Sequence, residues 1–134
     1  MLDGEVRVAI ATDSDIVAAR HAGRQLASKL DFSSSDLTVI AAAVSEIARN
    51  ILEYARTGEV EIRLVEKAGR HGVLVVARDQ GPGIRDIALA LQDGFSTSGS
   101  LGLGLPGARR LMDEFEVQSE VGKGTTVTMR KWAR

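Results

Sequence analysis

The segment SSSDLTVIAAAVSEIARNILEYA constrains the fold most, because its apolar residues recur at the spacing of one helix face. The serine near its start, Ser34, belongs to a residue type that caps the free amides of a first helical turn. The apolar stripe consists of Ile40, Val44, Ile47 and Ile51. A helix with one apolar face needs another layer to pack against, so the rest of the chain has to supply that layer.

Strand-like segments elsewhere in the chain supply the layer that this helix packs against. One alternating segment precedes a first helical pattern that opens with Thr, Asp and Ser, and further strand-like segments follow the long helix. In chain order, strands are predicted in EVRVAIA, EVEIRLVE, GVLVVARD, FEVQSE and TTVTMRKW, and further helices in TDSDIVAARHAGRQLASKL and ARRLMDEF. KAGRHG predicts a hairpin loop and VGKG a tight turn. The sequence thus predicts an α/β (α+β) two-layer sandwich, with a mixed, mostly antiparallel sheet and the helices on one face.

Length and composition limit the classes of protein. The 134 residues predict one domain, 1–134, and 17 basic against 18 acidic residues give a net charge of -1, too small to favour nucleic acid or an anionic membrane as the main partner. The absence of cysteine excludes disulfides, thiolate zinc sites and a cysteine nucleophile. No apolar run approaches the roughly 18 residues of a membrane span and no leader pattern follows Met1, so a cytoplasmic protein is expected.

Glu46 and Asn50 are four residues apart in the long helix, so their side chains lie on one side of it, offset from the apolar stripe. A carboxylate and an amide would then share one wall of a cleft. A solvated polar pair has the same spacing, and this alternative stays open. The arginines Arg20, Arg24 and Arg49 are interpreted as solvated helix charge, with a docking face as the alternative.

The segment DQGPG places Asp79 at the end of an apolar strand, where an unpaired carboxylate would be costly. Asp79 therefore needs a hydrogen-bond donor. Gly81 and Gly83 leave out the side chains that would keep a flat ligand away from this carboxylate. The alternative is a turn residue that accepts backbone amides.

The glycine-rich segment GSLGLGLPG contains Gly102, Gly104 and Gly107 at the spacing of a dinucleotide-binding fingerprint. That fingerprint requires a preceding apolar strand in a parallel βαβ unit, whereas DGFSTSGS precedes this segment, so a dinucleotide site is rejected. The segment also lacks a lysine at the spacing that a P-loop requires. The remaining interpretation is a loop that leads into a helix N-terminus and offers amides to phosphates, with a flexible surface loop as the alternative.

The order of these elements resembles the GHKL superfamily of ATP-binding domains, and the resemblance covers nearly the whole chain. SEIARN resembles the N box of that superfamily, DQGPG its Asp-x-Gly-x-Gly box, GLGLPG its second glycine box and GKGTTV its final Gly-Thr strand. The resemblance implies the Bergerat ATP-binding fold, with ATP and Mg²⁺ as ligands.

The resemblance also implies how the adenine is recognised. Asp79 would accept the exocyclic amino group of adenine, with Thr125 or Thr126 as a second polar contact. Guanine would present an acceptor at that place, so ATP is expected to bind better than GTP by roughly 1 to 3 kcal/mol.

Around the phosphates, the resemblance implies that Asn50 binds the bridging magnesium and that Glu46 accepts the proton of the attacking hydroxyl, or orients it. The segment 84–101 would form a lid. The residues expected to contact the nucleotide are Asn50, Asp79, Gly81, Gly83, Gly102, Leu103, Gly104 and Thr125.

Within the superfamily, the stretches DIVAAR, SEIARNI, DGFSTSGSLGLGLPG and RLMDEF resemble small serine kinases that act as switch proteins in bacterial stress signalling. That resemblance implies a protein serine/threonine kinase that phosphorylates STAS-domain proteins, the scaffold and antagonist subunits of a stressosome. The freed kinase would then bind a downstream regulator such as a phosphatase. His21 and His71 are interpreted as structural or surface residues, and the phosphate acceptor is expected in another protein.

Two other functions stay open. One is an adaptor that holds ATP without turnover, against which Glu46 argues, because holding the nucleotide would need only Asn50 and Asp79. The other is an anti-sigma factor of the RsbW or SpoIIAB type, which also phosphorylates STAS proteins but sequesters a sigma factor.

Overall fold

The computed structural model describes residues 4–82 and 105–133. Its helices are α1 (Asp13–Ala27), α2 (Ser34–Tyr54) and α3 (Leu105–Leu111). Its strands are β1 (Glu5–Ile10), β2 (Gly58–Lys67), β3 (Arg70–Asp79), β4 (Glu114–Glu120) and β5 (Gly124–Trp132). Helix α2 is capped by Ser33, whose hydroxyl accepts a hydrogen bond from the Asp36 amide at 3.0 Å, close to the predicted start.

The five described strands form one sheet in the order β1-β2-β3-β5-β4, and every neighbouring pair among them is antiparallel. Strand β5 follows β4 in the chain but lies between β3 and β4. The described helices pack on one face of this sheet and share a core with it. The predicted two-layer architecture is confirmed.

The apolar stripe of α2 forms the centre of that core. Ile40, Val44, Ile47 and Ile51 retain 0, 0, 1 and 2% of their accessible surface. They belong to one cluster with alternate residues of the central strands, namely Val60 and Ile62 of β2 and Val73, Val75 and Ala77 of β3. Because strand side chains alternate, the odd-numbered residues of β3 point to the helices and the even-numbered ones to the opposite face.

An ion-pair cluster occupies the face of β1, β2 and β3 that lies opposite the described helices. Glu61 is only 3% exposed there, and Arg78 Nη1 donates to its Oε1 at 3.0 Å. On the other carboxylate oxygen, Arg63 Nε lies at 3.1 Å and Arg7 Nη2 at 3.8 Å. The Arg78 hydrogen bond, more than any other contact, holds the pKa of Glu61 below its ordinary value against the opposing effect of burial.

Helix α3 differs from the prediction. The pattern placed a helix over ARRLMDEF, but the helix begins earlier, at Leu105, and ends at Leu111. Asp113 instead accepts the Trp132 amide at 2.8 Å and so ties the chain to β5, after which Phe115 pairs with Met129 in the sheet. Strand pairing, which is non-local, overrides the local helical pattern here.

The β2–β3 connection is shorter than the predicted loop KAGRHG. Lys67 and Arg70 still pair across the two strands, so the turn consists of Ala68 and Gly69. Both have positive φ values, 53° and 79°, as a two-residue type I′ turn requires. Gly69 adopts this conformation easily, and Ala68 does so against its steric preference.

Candidate functional site

Three polar residues meet at one end of the helix-facing side of the sheet. Asp79, the last residue of β3, lies opposite Thr125 of β5, and Thr125 lies opposite Ser119 of β4. Directly opposite residues on antiparallel strands point to the same face. Two residues along each strand, Ala77 and Val127 belong to the core, so the three polar side chains point to the helix side where the apolar core ends.

The hydroxyl of Thr125 is held by Ser119. The two hydroxyl oxygens are 2.8 Å apart, and Ser119 Oγ donates to the Gly124 carbonyl at 3.0 Å. A serine has one hydroxyl proton and a carbonyl can only accept, so in the hydroxyl pair Thr125 is the donor. The lone pairs of Thr125 Oγ1 then remain available as acceptors. Thr126 is opposite Arg78 and points to the other face, which leaves Thr125 on the side of Asp79.

The two carboxylate oxygens of Asp79 have different surroundings. The Gly81 amide donates to Oδ1 at 2.9 Å, which is the turn contact that the sequence left open as an alternative. Within the described residues, no hydrogen-bond donor contacts Oδ2. The carboxylate therefore fixes its own turn through Oδ1, and no described donor engages its Oδ2.

Gly81 packs against the end of α2. A Cβ atom at this position would lie 2.6 Å from the Cβ of Ala55 and 2.9 Å from its Cα, closer than carbon atoms approach without displacement. Ala55 is the C-cap residue of α2. The glycine thus lets the segment after β3 approach the helix end, and this contact brings α2 to the same end of the sheet as Asp79.

Glu46 and Asn50 lie on successive turns of α2 before that contact. At a rise of about 1.5 Å per residue, Asn50 lies roughly 7.5 Å before Ala55 along the helix axis and Glu46 roughly 14 Å before it. Both are partly buried, and among the described residues the Asn50 side chain has no hydrogen-bond partner. Along α2, Asn50 therefore stands between Glu46 and the Asp79 end of the site.

Glu46 is the titratable residue of the Glu46–Asn50 pair. Its side chain is 17% exposed, and Arg49 Nη1 donates to Oε1 at 2.9 Å. Burial raises the pKa of Glu46 above its ordinary value, while the charge and hydrogen bond of Arg49 act in the opposite direction and Glu53 adds a small further increase. A carboxylate whose pKa is moved toward neutral pH is better suited to accept a proton from a hydroxyl.

A profile of the histidine kinase-like ATPase domain matches residues 9–131. The chain belongs to this family. The match spans both walls of the site, since it includes Glu46 and Asn50 on α2 and Asp79 and Thr125 on the sheet.

Curated members of the family are similar to this histidine kinase-like ATPase domain over most of its length. The serine/threonine-protein kinase RsbT of Bacillus subtilis (strain 168) is 51% identical over 127 residues, which are 95% of this chain and 96% of that protein. The anti-sigma F factor of Geobacillus stearothermophilus is 37% identical over 110 residues, 77% of this chain and 74% of that protein. The chain is a homologue of the serine/threonine-protein kinase RsbT, which confirms the family and enzyme class that the sequence motifs indicated.

Solved structures confirm the fold of the domain. The mycobacterial sensor histidine kinase MprB superposes with a TM-score of 0.58 at 21% identity, covering 98% of this chain and 99% of that one. The SiaB-SiaC complex of Pseudomonas aeruginosa gives a TM-score of 0.55 at 16% identity, with 98% and 90% coverage. At these identities the likeness establishes the architecture alone.

Half of the predicted nucleotide contacts of the domain fall outside the described residues. These are Gly83, Gly102, Leu103 and Gly104, and the predicted lid, 84–101, lies there too. Their roles stay predictions. The structure brings Asp79, Gly81 and Thr125 together at the sheet end. It places Glu46 and Asn50 on successive turns of α2, whose C-terminal end packs against Gly81.

The sequence patterns did not predict two side-chain contacts of the site, Arg49 with Glu46 and Ser119 with Thr125. Arg49 was interpreted as solvated charge, although its position three residues after Glu46 is a spacing at which side chains meet on a helix. Ser119 was not singled out, since its contact with Thr125 depends on the register of the β4–β5 hairpin. The tight turn VGKG, which fixes that register, was the available signal.

In residues 4–82 and 105–133, no three His, Asp or Glu side chains are grouped so that they could hold a metal ion. In the same residues, no helix combines the length and the apolar character needed to cross a membrane.

Proposed function

We propose that this chain is a protein serine/threonine kinase that transfers the γ-phosphate of Mg-ATP to a STAS-domain protein, with Glu46 as the general base. The observation that carries the proposal is the 51% identity to the kinase RsbT over 95% of this chain and 96% of that one. The geometry of the described residues adds a physical account of what each side chain would do.

Adenine fits the hydrogen-bonding character of the sheet end. Oδ2 of Asp79 lacks a donor among the described residues, and the Thr125 hydroxyl, which donates to Ser119, can only accept toward the site. Both groups therefore need a hydrogen-bond donor from the ligand. The exocyclic amino group of adenine is such a donor. The carbonyl oxygen of guanine would leave acceptors facing each other, at a cost of about 1 to 3 kcal/mol.

Asn50 fits the magnesium ion that accompanies the phosphates. Its amide oxygen is of the hard ligand type that Mg²⁺ prefers, and no described residue occupies it. A bound ion would neutralise part of the phosphate charge during transfer. In this arrangement Asn50 would hold the ion, and the ion would supply positive charge beside the phosphates.

Glu46 would act on the hydroxyl of the protein substrate. The seryl or threonyl oxygen forms a bond to the γ-phosphorus, the bond from that phosphorus to the bridging oxygen of ADP breaks, and Glu46 takes the hydroxyl proton. The carboxylate must be ionised to do so. Because burial raises its pKa, the rate should fall on the acid side of neutrality.

The partners and the cellular setting follow the same proposal. The substrates would be RsbS-like and RsbR-like STAS proteins of a stressosome, and a phosphate on their contact surface would weaken docking by repulsion and desolvation. The released kinase would bind an RsbU-like phosphatase or another downstream regulator. The proposal takes 1–134 as one kinase domain that works in the cytoplasm.

The test is label transfer from γ-phosphate-labelled Mg-ATP to STAS-domain proteins encoded in the same genome. We expect acid-stable label on serine or threonine, and a loss of about 10²- to 10⁴-fold in Glu46→Gln with ATP affinity kept. Glu116→Gln is the matched control, because it makes the same change at an exposed position on β4. No label despite measured binding of ATP and of the STAS protein would contradict the kinase and favour the adaptor.

The second candidate is an anti-sigma factor, favoured by the 37% identity to the anti-sigma F factor of Geobacillus stearothermophilus over 77% of this chain. It makes a separate prediction, namely a stable complex with a sigma factor in the presence of ATP. Co-purification with each sigma factor of the same genome tests it, and failure to retain any of them sets it aside.

A further inference from the structure

Arg49 contacts the proposed base from the rim of the site. Its Nη1 atom donates to Glu46 Oε1 at 2.9 Å, one helical turn along α2. The two side chains differ in exposure: Glu46 retains 17% of its accessible surface and Arg49 retains 46%. The guanidinium therefore reaches from solvent to a carboxylate that is mostly withdrawn from water.

The contact engages one of the two carboxylate oxygens. Within residues 4–82 and 105–133, the described donor to Glu46 is Arg49, and it binds Oε1. A charge-assisted hydrogen bond of this length fixes the rotation of the carboxylate about its last bond. Among the described residues, no donor contacts Oε2.

Among the described residues, the charged groups that act on Glu46 lie on its own helix. Among the described residues, Arg49 and Glu53 are the charged groups that act on the pKa of Glu46, Arg49 lowering it and Glu53 raising it. Helix α3, which packs against α2, carries Arg109 and Arg110, and these arginines are not among the groups named for that pKa. Arg49 is thus the described cation that offsets the burial of Glu46.

We propose that Arg49 is a positioning residue for phosphotransfer: it holds Oε1 of Glu46 and so presents Oε2 to the substrate hydroxyl. The inference rests on the proposed function, because Glu46 is a base only there. It goes beyond that function in naming the group that orients the base and the oxygen that takes the proton.

A contrary role for the same contact makes an opposite prediction. If Arg49 blocked Glu46 and had to leave before the reaction, its removal would speed phosphotransfer. If it positions Glu46, removal slows phosphotransfer and moves the acid side of the pH profile. The sign of the change in rate separates the two roles.

The experiment compares Arg49→Met, Arg49→Lys and Arg20→Met with the wild type. Methionine and lysine both keep a long side chain with good helix propensity, and lysine keeps the charge. Arg20→Met is the matched control, because Arg20 is also an exposed helical arginine. Thermal unfolding verifies that each variant is folded.

The first readout needs no substrate. The pKa of the Glu46 carboxyl is measured by NMR on carbon-labelled glutamate, and we expect it to rise in Arg49→Met and to stay closer to the wild-type value in Arg49→Lys and Arg20→Met. An unchanged pKa in Arg49→Met would overturn the inference, whatever the enzyme does.

The second readout is the rate of label transfer to the STAS protein as a function of pH. For Arg49→Met we expect a roughly two- to fivefold lower rate with unchanged ATP affinity, the range of an exposed ion pair, and an acid limb displaced to higher pH. Arg49→Lys should recover part of the rate. A faster Arg49→Met enzyme, or an equal loss in Arg20→Met, would overturn the inference.

Glu46→Gln separates failure of the inference from failure of the proposed function. If Glu46→Gln abolishes transfer while Arg49→Met leaves the rate and its pH profile unchanged, Glu46 is the base and the positioning role is wrong. If Glu46→Gln transfers label at the wild-type rate, the base assignment itself is wrong, and the positioning role falls with it.

Discussion

Gly124 lies directly over the backbone carbonyl of Asp79, so close that a Cβ atom on Gly124 would overlap the carbonyl oxygen. Its φ value is 92°, in the region that glycine occupies without strain. The contact joins the first residue of β5 to the last residue of β3. The sheet end of the site is therefore fixed by backbone packing as well as by side chains.

Gly124→Ala should destabilise the protein by about 2 to 4 kcal/mol, since it adds both an unfavourable φ and an overlap with a backbone atom. Gly122→Ala is the matched control, with a φ of 84° but no atom of the described residues within 4 Å of the added carbon. It should cost only about 1 kcal/mol. Urea unfolding measures both, and equal losses would contradict the role of the Asp79 contact.

Asp79→Asn should weaken ATP binding by about 1 to 3 kcal/mol. The carboxylate offers two acceptor oxygens, of which the Gly81 amide uses one at 2.9 Å. Asparagine has one carbonyl oxygen, so it can serve the turn or the adenine amino group but not both. Calorimetric titration with Mg-ATP measures the loss. Wild-type affinity in Asp79→Asn would mean that the second oxygen does not bind the nucleotide.

Thr125→Val and Thr126→Val form a pair of identical changes on opposite sheet faces. Thr125 is 6% exposed and bonded to Ser119, whereas Thr126 lies opposite Arg78. We expect Thr125→Val to lower ATP affinity by about 1 kcal/mol and Thr126→Val to leave it unchanged. The same titration applies. A larger loss for Thr126→Val would place the nucleotide on the other face.

Glu61 should make the free energy of unfolding depend on acid pH. Its pKa is lowered in the folded state, chiefly by the Arg78 hydrogen bond, from an ordinary value of 4.5. A lowered pKa contributes stability that is fully present above 4.5 and is lost as pH falls through the folded value. Glu61→Gln should cost about 1 to 2 kcal/mol at pH 7, because the partner arginines are half exposed.

The check for Glu61 is urea unfolding of the wild type and Glu61→Gln between pH 7 and pH 3. The difference between them should shrink as the pH falls. Glu66→Gln, at an exposed carboxylate that contacts His71, serves as the control. A difference that stays constant with pH would show that the ion-pair cluster does not stabilise the fold.

Local patterns in the sequence predicted much of this fold. The stripe from Ile40 to Ile51 is local, and the burial of its four residues follows from helical periodicity alone. Asp79 and Gly81 also act locally, through a hydrogen bond across two residues. Such features depend on neighbours in the chain, which the sequence displays directly.

Features that depend on register were harder to predict. The Ser119–Thr125 bond needs the pairing of β4 with β5, and the end of α3 is decided by the contact of Asp113 with Trp132, 19 residues away. Arg49 is a different case. Its contact with Glu46 is local, but spacing alone does not distinguish an ion pair from two solvated charges.

The position of β5 between β3 and β4 has a consequence for synthesis. A ribosome releases α1, α2 and the β1–β2–β3 segment first, and that intermediate has Asp79 at an exposed strand edge, without Thr125 or Gly124 beside it. The partner strand arrives only after residue 132 has left the exit tunnel. Until β5 has emerged, β3 is therefore an open edge that a chaperone or another nascent chain can pair with, and the nucleotide contact proposed for Asp79 lacks its Thr125 neighbour.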